Sequence, residues 1–336
     1  RKGKFSGGKN DCPSGPKAGS EPVRRKTGRI MNKMDGRISN IMQVGSLRRY
    51  MLTEGKEAGL RVIECDTGKI RFLLNESKAL DIMQLYHAGQ NVSFLCKNGF
   101  SASEWPFLRR FEGGMLYTCG MDAFGDIPGH EMHGSLHNTP AHVTRAEFDG
   151  ENFVVSAQMS DSALFGKNLV LTRTVRTSLG SDTFTLEDEL KNCGTREEEY
   201  CLLYHVNVGY PMLDEGAKVV GDLECAVPRT DWAAENLSAR TEITAPVPNQ
   251  EEMCYFLQFR TPQVSLVNKR LGKTFTLSWS DDTLPSFIQW KSMASGDYAL
   301  GLEPATSELD GGFRYSVIAP GDTVRFRLSL RVSDKV

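Results

Sequence analysis

Apolar and polar residues alternate with a period of two over much of the chain. Val324, Phe326, Leu328, Leu330 and Val332 are separated by Arg325, Arg327, Ser329 and Arg331, the pattern of a strand with one face buried. Phe275, Leu277 and Trp279 alternate in the same way with Thr276 and Ser278, and Leu169 to Thr177 repeats the pattern with many β-branched residues. The turn residues Leu179-Gly180-Ser181-Asp182 then lead into Phe184 and Leu186, which predicts a hairpin. Gly125-Asp126, Asp149-Gly150 and Pro320-Gly321 punctuate other runs. Only two stretches have helical appeal. In Ser77–Gln90, Leu80, Met83 and Leu85 do not hold a 3.6-residue period, and Asp231–Arg240 reads as a loop or one short turn. Helices at βαβ spacing are missing, which excludes a doubly wound parallel sheet. No short repeat suggests a propeller or solenoid. The pattern predicts one large antiparallel all-β domain, a sandwich or barrel.

Composition sharpens this in two places. The 336 residues carry 40 Lys+Arg and 42 Asp+Glu, so the net charge gives no pull toward nucleic acid or a membrane surface. No apolar run approaches the roughly 20 residues of a spanning helix. Residues 1–30 differ from the rest: nine basic and two acidic side chains, six glycines and three prolines predict a flexible basic tail. The domain is then expected over residues 31–336. Arg1–Asn10 lack the apolar core of a secretory signal. None of the eight cysteines stands in a C-x-x-C pair, so they read as reduced thiols, and the protein as cytoplasmic.

Polar chemistry gathers in four places: Arg109-Arg110 to Gly113-Gly114 with Cys119 to Gly125; His130 to His142; Tyr204 to Pro211; and Gln289-Trp290-Lys291 with Gly301 to Ala305. His205 sits among valines on a strand, and Glu303 at the end of an apolar strand before Pro304. A carboxylate buried there needs a partner or a function. His130 and His133 are three residues apart, not four, and Gly134 breaks any helix, so the zinc-protease pattern fails and no dedicated metal site is assigned. Phosphate-loop, dinucleotide and nucleophile-elbow motifs are all missing from the sequence.

Taken in order, Arg110…Gly113-Gly114, Cys119-Gly120-Met121-Asp122, His133-Gly134…Asn138-Thr139-Pro140-Ala141, Tyr204-His205-Val206-Asn207 and Gln289-Trp290-Lys291…Gly301-Leu302-Glu303-Pro304-Ala305 resemble the aldose 1-epimerase (galactose mutarotase-like) superfamily. Within it they are similar to an uncharacterised bacterial branch defined as a domain of unknown function. The resemblance implies a β-supersandwich with a carbohydrate cleft on a concave face, and a small-molecule sugar as partner. Opening a pyranose needs a base for the anomeric hydroxyl and an acid for the ring oxygen, with no cofactor or metal. The resemblance places the base at Glu303 and the acid at His205, facing each other across the ring. It assigns sugar contacts to His133 and to Arg109 or Arg110, and further ones to Asp122, Asn138, Gln289 and Lys291, with Trp290 as a stacking platform or core residue. Ser135 stands where members of that branch carry an arginine. Two other activities fit such a cleft: a lyase or deglycosidase acting on an oxidised glycoside, with or without a metal, and sugar binding without catalysis. The sugar, any anionic substituent on it and the oligomeric state are left open by the sequence.

Overall fold

Strand after strand forms where alternation predicted it. A computed structural model describes residues 36–103 and 105–336; the expected basic tail, residues 1–30, lies outside them. Ser39–Val336 form one unit, built from antiparallel strands. Five of them, Ser46–Met51, Arg61–Asp66, Ile70–Asn75, Asp81–His87 and Gln90–Asn91, make a small sheet in sequence order. Thirteen make the large sheet that carries the cleft. The fold is a β-supersandwich, in which Phe72 of the small sheet stacks on Phe184 of the large one at 4.7 Å. Among the described residues, no helix is long and apolar enough to cross a membrane.

The hairpin predicted around Leu179–Asp182 joins Asn168–Ser178 to Thr183–Asn192, with Leu171 opposite Leu190 and Val175 opposite Leu186. The strand Lys273–Trp279 alternates strictly between buried and half-buried residues. Asp231–Arg240 holds a five-residue helix and a single 3₁₀ turn. Ser77–Gln90 turns out to be a corner followed by the strand Asp81–His87. Its apolar residues defeat any simple period because the pairing with Ile70–Asn75 is irregular at Met83, so that Ile82 and Leu85, three residues apart, both reach the main core while Met83 packs in a separate cluster. Pro304 does not end its strand: Asp297–Ala305 continues past it, with Pro304 opposite Phe287 and Ala305 opposite Ser286.

A second core lies on the outer face of the large sheet. Tyr117, Cys119, Cys201, Leu203, Cys254, Ile288 and Ala305 cluster there, with Phe107 and Phe111 packed against them. On Glu198–Val208 alternation divides the strand: Leu202, Tyr204 and Val206 belong to the main core, and Cys201 and Leu203 to the second one. His205 follows on the face of Cys201 and Leu203.

The main core holds an ion network. Arg173, wholly buried, donates to both oxygens of Asp188, its cross-strand neighbour, and to Asp81 at 2.5 Å. Asp81 also accepts from Thr118 and contacts His137 at 2.6 Å, and His137 reaches Glu112 at 3.0 Å on its other nitrogen. Each carboxylate here is met by a cation or several donors, the condition under which buried charge is tolerated.

Candidate functional site

Four strands and their register assemble the centre. Glu198–Val208 pairs with Asp297–Ala305 so that Leu203 lies opposite Ala305 and Val206 opposite Leu302, which sets His205 opposite Glu303. On its other side His205 pairs with Tyr117, and Glu303 pairs with Ile288. Tyr117, His205, Glu303 and Ile288 thus form one row across four strands, with cross-strand side chains in contact range. His205 Nε2 lies 3.3 Å from Glu303 Oε1. Both residues are buried, and both line a cleft of about 700 Å³.

Aromatic rings enclose the pair. Phe111 and Trp290 lie 5.6 and 5.5 Å from the His205 ring, and His133 meets it edge-on at 5.7 Å. Phe94 and Phe107 complete the walls. Water is thereby kept from both reactive groups, and the consequences run in opposite directions. Desolvation, with Glu252 adding to it, holds the Glu303 carboxyl well above the ordinary carboxylate range. Desolvation, assisted by His133, pushes His205 down to about 3. Both shifts disfavour charge in the cleft and favour a neutral carboxyl at Glu303 beside a neutral imidazole at His205. Among the described residues, His205 Nδ1 and Glu303 Oε1 find no aligned hydrogen-bond partner, and unspent buried polar atoms at a cleft floor point to a binding site.

His133 stands above this floor at φ +64°. Its Nδ1 accepts the Gly125 N–H at 3.3 Å, so in the neutral ring the proton resides on Nε2. Burial, and then Arg229, pushes this ring down to about 4, which leaves His133 a neutral hydrogen-bond donor. Gly134 must be glycine: its φ is +76°, and a Cβ would sit 2.3 Å from the Ala123 carbonyl and 2.5 Å from that of Gly120.

The other expected sugar contacts lie outside the cleft lining. Arg110 is buried and donates to Glu131 at 2.8 Å and to the Trp105 carbonyl at 2.9 Å; it anchors the short helix Phe107–Arg110 that supplies the Phe107 wall. Arg109 stacks on Trp105, 4.3 Å from the ring centre. Asp122 accepts from the Ser135 amide and hydroxyl, so Ser135, at the departure from the branch pattern, fastens a turn. Asn138 accepts from Lys78 at 3.2 Å. Gln289 accepts from Arg240, and Lys291 donates to the Ala239 and Glu242 carbonyls. On Ser286–Ala294 the cleft takes Ile288, Trp290, Ser292 and Ala294, so the pleat turns Gln289 and Lys291 to the opposite face.

Sequence reasoning missed Arg229 and Glu252. Arg229 lines the cleft with its Nε and Nη2 on Asp310, at 2.7 and 2.8 Å. Glu252 accepts from the Trp290 indole at 2.6 Å. Neither belongs to a motif, and their partners come from remote segments. The histidines of the 130–142 segment are dispersed: His130 beside Asp122, His133 in the cleft, His137 in the ion network, His142 on an outer strand. Among the described residues, no group of three or more His, Cys, Asp or Glu is arranged to hold a metal ion.

A sequence profile for a domain of unknown function, DUF4432, matches residues 57–332. The chain belongs to the DUF4432 family. No curated protein matches it. Solved structures share the fold of this DUF4432 protein. A candidate aldose 1-epimerase from Klebsiella pneumoniae superposes with a TM-score of 0.76 at 22% identity, over 86% of this chain and 83% of its own. A galactose mutarotase-like protein from Clostridium acetobutylicum gives 0.65 at 12%, over 87% and 99%. A galactose 1-epimerase from Lactobacillus acidophilus gives 0.61 at 11%, over 87% and 100%. At these identities the likeness shows an epimerase-type fold.

Proposed function

We propose that this DUF4432 protein is an isomerase that interconverts the anomers of a reducing sugar, with Glu303 and His205 as the proton-transfer pair. The observation that carries this reading is their contact: an acid and a base side by side, 3.3 Å apart, on the floor of an aromatic-walled cleft. The anomeric hydroxyl oxygen and the ring oxygen are both bonded to the same carbon. A pair this close addresses both from one face, so the sugar stands over the pair, not between the two groups.

The proton positions favour an exchange of the roles implied by the family resemblance. Protonated Glu303 gives its proton to the ring oxygen as the C1–O5 bond breaks, and neutral His205 takes the proton of the anomeric hydroxyl, which becomes the aldehyde oxygen. The resulting carboxylate and imidazolium stabilise one another in the dry cleft. Rotation about C1–C2 presents the other face of the aldehyde. Ring closure then returns the O5 proton to Glu303 and passes the proton held by His205 to the aldehyde oxygen, so the enzyme ends as it began. His133, a fixed donor at Nε2, supports the oxygen that carries developing charge, and Trp290 offers its indole to the sugar ring.

Anomer exchange followed by proton NMR tests this, over a panel of neutral, phosphorylated and acidic aldoses with wild type beside Glu303→Gln. Glutamine keeps the volume and loses the transferable proton. Acceleration by wild type alone supports the assignment. An unchanged rate in the variant, or no acceleration across the panel, refutes it.

A further inference from the structure

The cleft extends well beyond the reacting pair. Its floor is the hairpin of Ser286–Ala294 and Asp297–Ala305, in which Ile288 lies opposite Glu303 at one end and Ala294 opposite Asp297 at the other. Six residues of strand separate these ends, about 20 Å at ~3.3 Å per residue. One pyranose ring, similar in width to an indole, occupies only the inner part. The side chains facing the cleft also change along this floor. The large Ile288 and Trp290 line the inner half, and the small Ser292 and Ala294 line the outer half. The walls change in parallel, from aromatic rings around His205 to polar groups at the far end. There Lys97 donates to Asp297 at 2.7 Å, and both line the cleft together with Gln250.

Such an outer trough, floored by small side chains and hydrogen-bonding at its rim, suits a second ring rich in hydroxyls. Lys97 and Asp297 are both exposed at their tips, so the bond between them is weak and readily shared with a ligand. We propose that the cleft carries an outer sugar subsite over Ser292 and Ala294, and that its substrate is a reducing disaccharide or longer oligosaccharide whose reducing-end ring lies on His205 and Glu303. This rests on the isomerase reading given above. Contacts to a ring remote from the reacting carbon orient the reducing end over the pair, and they raise kcat/KM where they are strengthened in the transition state.

Anomer exchange measured for glucose, beside cellobiose, maltose and lactose, whose reducing ring is glucose, tests the proposal. The expected result is a kcat/KM at least tenfold higher for one disaccharide than for glucose. Lys97→Ala removes the rim donor and should lower that ratio severalfold. Ala294→Phe fills the outer floor and should bring it toward one. A ratio of one or less for all three disaccharides, with glucose exchange accelerated, overturns the outer subsite and leaves the isomerase reading standing. A ratio that survives both substitutions also overturns it. Acceleration of no sugar by folded protein overturns both.

Discussion

Gly301 offers a test of the reacting geometry that leaves both reacting residues in place. It lies on the strand of Glu303, opposite Trp290, on the same face two residues away. A Cβ at this position would sit 2.2 Å from Glu303 Oε1, 3.2 Å from its Cδ and 3.0 Å from Trp290 Cβ. The Trp290 Cβ belongs to a strand that cannot yield, and the Glu303 carboxyl ends a rotatable side chain, so in Gly301→Ala the carboxyl gives way. Restoring van der Waals contact requires a retreat of roughly 1 Å. That disturbs the 3.3 Å approach of Glu303 to His205 and the line from Glu303 to the ring oxygen. Misplacement by 1 Å costs ~10²-fold in rate, or about 2.7 kcal/mol of transition-state stabilisation. The same crowding costs about 1–3 kcal/mol of stability, which a domain of this size survives with Tm lowered by several degrees. Anomer exchange by NMR and thermal unfolding by circular dichroism should therefore separate, with kcat falling about a hundredfold in a protein that still unfolds cooperatively. Retention of kcat within twofold would refute the claim that the placement of Glu303 limits the reaction.

The buried groups make further predictions. Burial raises the Glu303 carboxyl in the fold, and a raised carboxyl pKa gives stability below its unfolded value that is lost as pH rises. Glu303→Gln should accordingly unfold at a higher temperature than wild type at pH 7, and an equal or lower Tm would contradict the buried neutral acid. His133 and His205 are depressed to about 4 and about 3 from 6.5, so their contribution is complete above 6.5 and declines as pH falls toward 4 and then 3. Tm should fall over that interval, and His133→Gln with His205→Gln should flatten the decline; an unaltered slope would oppose it. For catalysis, kcat/KM should show no inflection near 6.5, because His205 stays neutral through that region, and a bell centred there would refute the proton assignment. Arg173→Met leaves Asp81 and Asp188 buried without their cation, at a cost of ~3–5 kcal/mol in denaturant unfolding, and a loss under 1 kcal/mol would show the network to be dispensable.

The fold was legible because alternation is a local property. Lys273–Trp279, Asn168–Ser178 and Thr323–Ser333 each bury one face, and the sequence of each states that face outright. Arg173 lies on the buried side of its strand with Leu171 and Val175, a charge that no local pattern explains, because its partners Asp81 and Asp188 lie on other strands. Asp81–His87 was illegible for a complementary reason, since the irregular pairing at Met83 shifts the alternation by one residue and only the partner strand shows where.

The candidate cleft was legible in its central pair and not in its lining, and the pleat accounts for the difference. His205 and Glu303 are polar residues in otherwise apolar strands, so each stands out alone before their pairing is known. In Gln289-Trp290-Lys291, by contrast, hydrophilic character draws attention to the flanking residues, yet a strand can present only alternate side chains to one surface. The cleft takes Trp290, and Gln289 and Lys291 fix the loop around Arg240 and Glu242 on the far side. The adjacent Arg109 and Arg110 misled in the same way: one is spent on Trp105 and the other on Glu131, and what the segment delivers to the cleft is Phe107 and Phe111. Sugar hydroxyls invite a search for polar partners. In the proposed reading the groups that enforce reactivity are apolar, because dry aromatic walls raise the Glu303 carboxyl and depress the His205 imidazole together, and so favour a transferable proton on the acid beside an unprotonated base.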